Sequence, residues 1–91
     1  MLLTAITRIP PEGVRDYLAY EDRVLALLAE HGARLERRLR TADGTVEVHV
    51  IRFPSQAAVE AFMRDPRRDE HRPLLEASGA AMEVLTVDDV V

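Results

Sequence analysis

Between residues 46 and 53 apolar and polar side chains alternate with a period of two. Val46, Val48 and Val50 fall on one side of an extended strand, and Glu47, His49, Ile51 and Phe53 on the other. Both sides carry apolar groups, so neither is a plain solvent face. Residues 2–9 predict an earlier strand, with Thr4 and Thr7 as β-tolerant polar positions. Pro10-Pro11-Glu12-Gly13 ends it and leads into a helix over residues 12–31, which Gly32 stops. In residues 33–41, Ala33, Leu35, Arg37 and Leu39 alternate with Arg34, Glu36, Arg38 and Arg40, the pattern of a half-buried strand at a sheet edge. Asp43-Gly44 signals a hairpin into the strand at 45–53. Ser55 is placed to cap a second helix whose apolar stripe is Ala58, Val59, Phe62 and Met63. Asp65-Pro66 closes that helix and opens a third, which Pro73 is expected to divide into two short turns before Ser78-Gly79. Residues 80–87 read as the last strand.

The resulting order, strand–helix–strand–strand–helix–strand, predicts an α+β chain of ferredoxin-like βαββαβ plan, spanning residues 1–91 as a single domain. Right-handed crossovers place the helices on one face of a four-stranded antiparallel sheet. The other face, left bare, is an apolar patch too large for a stable monomer. Packing two such faces together into an α/β barrel buries it, so the expected partner is a second copy of the chain. Which side of strand 45–53 meets the resulting dimer cavity stays open. The parity that sets Phe53 against the helices buries His49 in the core and sends Arg52 to the dimer cavity.

Composition narrows the chemistry. At 91 residues the chain is near the size where one core is just adequate, and 47% of its residues are apolar. With no cysteine, disulfides, thiolate nucleophiles and thiolate metal sites are excluded. The net charge of −4 opposes a general nucleic-acid role. The apolar start is too short for a membrane span and lacks the plan of a signal peptide, so a cytoplasmic protein with no membrane partner is expected. No glycine-rich phosphate loop is present and the three histidines lack HxxxH or HxH spacing, so neither cofactor nor metal is expected.

Two side chains stand out as candidate acids or bases. On the first helix, at 100° per residue, Glu21 falls inside the apolar arc with Tyr17, Tyr20, Val24 and Leu28 rather than beside Arg15, Asp22 and Glu30. A buried carboxylate must find a partner or take up a proton, and a raised pKa in a small cavity suits general acid–base chemistry. The plainer alternative is an ion pair with an inward-facing Arg8 or Arg52, or a carboxylate tilted out to water. His49, central in its strand, either orients a ligand and moves a proton near neutrality or is a locally bonded core imidazole. His31 suits the carbonyl-rich end of the first helix as a cap. The arginines at 34, 38 and 40 and at 67, 68 and 72 could clamp an anionic ligand, or protect a charged edge and pair with the interleaved acids.

The run VIRFPSQAAVEAFMRDPRRDEHRPLLEASGA, residues 50–80, resembles the dimeric α/β-barrel superfamily, in which a strand ending in Phe-Pro-Ser leads into a helix. It is most similar to an uncharacterised branch of small proteins related in shape to the antibiotic-biosynthesis monooxygenases. Tyr17, Tyr20, the His31-Gly32 helix end and the Arg34-Leu35 strand start fit the same pattern. The resemblance implies the fold and the dimer, but no single chemistry, because the superfamily includes monooxygenases, haem-degrading enzymes, cyclases and isomerases. Its haem-degrading and quinone-forming members rely on an Asn, a Trp and a His. Asn and Trp are missing here, so those mechanisms do not carry over. The expectation is a homodimer that binds a small organic ligand between sheet and helices through Tyr17, Tyr20, Arg52 and Phe62. The alternative is a cofactor-independent cyclase, isomerase or monooxygenase with Glu21 or His49 as its acid or base.

Overall fold

The structure, a computed structural model, describes residues 1–90. Four strands, β1 (Leu2–Arg8), β2 (Arg34–Arg40), β3 (Val46–Arg52) and β4 (Ala81–Val87), form one antiparallel sheet in the order β2-β3-β1-β4. Three helices, α1 (Val14–Leu25), α2 (Gln56–Met63) and α3 (Pro66–Ser78), cover one face. The fold is ferredoxin-like, as the alternation of the sequence requires.

Burial settles the parity of β3. Glu47, His49 and Ile51 are buried under the helices, with Phe53 just beyond the strand end, while Val46, Val48, Val50 and Arg52 lie on the open face. In β1, Leu3, Ala5 and Thr7 are turned inward in the same way. The core joins Leu3, Ile51 and Phe53 to Tyr20, Val24, Leu27 and Leu28 from the first helical segment and to Val59 and Phe62 of α2.

Three local expectations are corrected. The helix expected over 12–31 is broken into a 3-10 turn at Pro11–Gly13, α1, and a second 3-10 turn at Leu28–His31 that ends on Gly32 in the left-handed region (φ 69°). Pro73 does not divide the third helix. It sits at an exposed position inside α3, where the Asp69 carbonyl it leaves unpaired can turn to water, and Leu74 and Leu75 beyond it pack against the core. The strict alternation read in β2 is broken by a bulge between Leu35 and Arg37, with Glu36 as the extra residue. One extra residue reverses the facing of everything after it. Arg38 and Arg40 therefore share the covered face with Leu35, and Arg37 and Leu39 turn to the open face.

The helix ends use the chemistry expected of them. Ser55 accepts from the Ala58 amide at 3.1 Å and caps α2, and Asp65 accepts from the Arg67 amide at 2.9 Å and caps α3. Gly13 is required by close packing, since a Cβ built there would stand 1.8 Å from the Ser78 carbonyl oxygen.

Candidate functional site

Two rows of side chains run across the covered face of the sheet. Strand register sets Arg38, His49, Ala5 and Val84 side by side in one row, and Arg40, Glu47, Thr7 and Met82 in the next. The bulge at Glu36 is what brings two arginines into these rows. Arg38 Nε donates to Glu47 Oε1 at 2.6 Å and Arg40 Nε to Glu47 Oε2 at 2.9 Å. His49 Nε2 lies 2.6 Å from Glu47 Oε1, so the imidazole donates through Nε2 to this carboxylate. Its other nitrogen, Nδ1, points at Glu21 Oε2 across 3.6 Å, slightly beyond hydrogen-bond contact.

The two carboxylates have opposite electrostatic settings. Burial resists ionisation of Glu47, but hydrogen bonds from Arg38, His49 and Arg40 outweigh it and hold its pKa below the ordinary value. Glu21 has no such donors. Burial, and then the charge of Glu47, push its pKa up to about 7. Glu47 is therefore a fixed anion that orients His49, and Glu21 is the carboxyl group that can change state near neutrality. Tyr17, one helical turn before Glu21, is fully buried beside Thr7. Burial, with the Glu21 charge next, pushes the Tyr17 phenol up, so it stays protonated.

Glu21 and His49 line a cavity of about 50 Å³ whose wall is otherwise mostly apolar, with Leu3, Ala5, Tyr20, Val24, Ile51 and Phe62 among its residues. Its outer wall is made by Met63, Met82 and Val84, which are 38%, 38% and 42% exposed. Arg68 of α3 also belongs to the lining. That volume has room for a few waters, far below the several hundred Å³ of a typical ligand pocket. A larger occupant has to extend past the flexible methionines at the mouth.

Solved structures of several proteins share the fold of this chain over nearly its whole length. An antibiotic biosynthesis monooxygenase is 15% identical with a TM-score of 0.72, covering 98% of this chain and 100% of its own. SnoaB, a cofactor-independent oxygenase from Streptomyces nogalater, is 16% identical with a TM-score of 0.69, covering 99% and 94%. A dimeric ferredoxin-like protein of unknown function from Jannaschia sp. CCS1 is 17% identical with a TM-score of 0.68, covering 96% and 100%. The chain shares their fold. At these identities the likeness is one of architecture alone. No protein-family model matches the sequence, and no curated protein does.

Within this ferredoxin-like frame the residues singled out by sequence separate into two groups. Glu21, His49, Tyr20 and Phe62 meet at the cavity, and Tyr17 is buried behind Glu21, outside the lining. Arg52 is set apart on the open face, where its Nε donates to Glu36 Oε1 at 3.1 Å, so neither it nor the exposed Arg8 is the partner of Glu21. His31 is tied to the cap of α3 rather than to the site, with Nε2 2.8 Å from Asp65 Oδ2 and its ring edge-on to Phe62. Sequence reasoning missed Glu47 as the anchor of His49. The available signal was their spacing of two on a face shared with Ile51 and Phe53. The arginines that hold Glu47 were hidden by the bulge.

Proposed function

We propose that the chain is a homodimer that takes up a small, largely apolar organic molecule in the cavity and moves a proton to or from it through the Glu21–His49 pair. The observation that carries the reading is a buried carboxyl group with a pKa raised to about 7, set 3.6 Å from an imidazole whose far side is anchored on a fixed anion. Near neutral pH Glu21 populates both its base and its acid form, the condition for efficient proton transfer in either direction. As carboxylate it accepts a proton from an acidic C–H or O–H of the ligand. His49, holding Nε2–H toward Glu47, presents the Nδ1 lone pair to Glu21 and can take that proton in turn as imidazolium between two carboxylates. Proton transfer of this kind uses side chains alone and calls for no cofactor. A cytoplasmic location belongs to the same proposal.

The test is exchange of the α-protons of 2-indanone, a small aromatic ketone, into deuterated buffer at pH 7, followed by proton NMR. The wild-type chain should accelerate exchange, and Glu21→Gln should lose about a hundredfold of that acceleration while remaining folded. Equal exchange by wild type and Glu21→Gln would refute the catalytic role. The small volume favours a second reading, a pocket that binds its ligand without turnover. In that case 2-indanone binds both proteins and neither accelerates exchange.

A further inference from the structure

Arg68 is placed unlike the other arginines that approach the core. Arg38 and Arg40 are bound to Glu47, and Arg67 to Asp65 and Glu30. Among the described residues Arg68 has no carboxylate within 4.0 Å, although it lines the cavity. Its guanidinium is nonetheless held in place. It lies 4.9 Å over the ring of Phe62, and Nη1 donates to the Met63 carbonyl oxygen at 3.0 Å. Nε is buried with no partner. Nε–H and the adjacent Nη2 form the straight edge of the guanidinium fork, the edge that receives anionic oxygens side-on. A buried donor without an acceptor is costly, and an apolar wall offers it none.

We infer that the cavity selects a small planar molecule bearing an anionic oxygen, a phenolate, enolate or carboxylate, which docks on the free edge of Arg68 with its apolar body between Tyr20, Phe62 and the mouth methionines. This rests on the cavity being the ligand site proposed above and names the class of ligand. Its chemistry complements Glu21. When an enol or phenol enters, the O–H bond breaks and the proton passes to the Glu21 carboxylate. The electron pair stays on the ligand oxygen, and the new negative charge sits against the Arg68 guanidinium. The charge lost by Glu21 equals the charge gained by the ligand, so the buried site keeps its net charge. The titratable groups facing this ligand are Tyr20, Glu21, His49 and Arg68, with Glu47 and Arg38 behind them.

The probes are 4-nitrophenol, whose phenolate is read by its visible absorbance, and the neutral near-isostere 4-nitrotoluene. Each is titrated against the full wild-type chain and against Arg68→Met, which keeps an apolar contact with Phe62. Wild type should bind the phenolate about tenfold or more tightly than 4-nitrotoluene, and bound 4-nitrophenol should ionise at lower pH than in water. Arg68→Met should lose the preference for the phenolate. Arg68→Gln, uncharged but still a donor, takes its place if the Met variant fails to fold. If both probes bind with no anion preference, or with the same preference after Arg68 is replaced, the Arg68 inference falls and the pocket reading stands. If neither probe binds, both fall.

Discussion

The cost of burying Glu21 depends on its charge, and that ties stability to pH. Its carboxyl group ionises near 7 in the folded chain against an ordinary value of 4.5. Between those values the folded chain holds a proton that the unfolded chain has released. Stability from this group is therefore full below about 4.5, falls as pH rises through the window, and levels off above about 7. The size of the loss is about 3 kcal/mol. Glu47 acts with the opposite sign. Its pKa is depressed, so its contribution is present above the ordinary range and disappears as acid protonates it. Urea denaturation at pH 5 and pH 8 separates the two. Wild type should be less stable at pH 8 by a few kcal/mol, and Glu21→Gln should show little of that difference. An equal slope in both proteins would mean that Glu21 is ionised throughout.

At the scale of elements, most of the chain was legible because local signals agreed with packing. Ser55 and Asp65 cap the helices that their positions announce, and the alternation of β3 gives its two faces correctly. What stayed hidden has specific physical causes. The bulge at Glu36 depends on pairing with β3, which a period count along β2 alone cannot register. Pro73 was weighed by its local cost, whereas the α3 turn beyond it is held by the packing of Leu74 and Leu75. The bulge itself is testable. If Glu36 is the extra residue, deleting it leaves Arg38 opposite His49 and Arg40 opposite Glu47. The losses would be its exposed pairs with Arg34 and Arg52, together worth about 1 kcal/mol. The deletion variant should fold with a small fall in Tm and an unchanged Glu21 titration. A collapse of stability would show that the register shift lies elsewhere.

For the whole molecule, three helices cover one face of four strands and leave the other open. That open face presents Leu2, Thr4 and Ile6 of β1, Val46, Val48 and Val50 of β3, and the exposed Leu39 and Leu85 at the edges. A flat apolar surface of this extent is what a second copy would cover. Sedimentation at micromolar concentration should give twice the chain mass of 10.2 kDa, and Val50→Glu, at the centre of the face, should give the single chain. A wild-type mass of one chain would overturn the assembly. The site was less legible than the fold, because Glu21 and His49 are distant in sequence and only the register of β1 with β3 beneath α1 brings them together.

Everything proposed for the cavity turns on Glu21 as a carboxyl group poised near neutrality. Carbon-detected NMR of the chain labelled at glutamate side-chain carboxyls, titrated from pH 3 to 9 and assigned by Glu21→Gln, measures this directly. The Glu21 resonance should move with a midpoint at about 7. A midpoint at the ordinary value of 4.5 would contradict it and leave the cavity without a base suited to neutral pH.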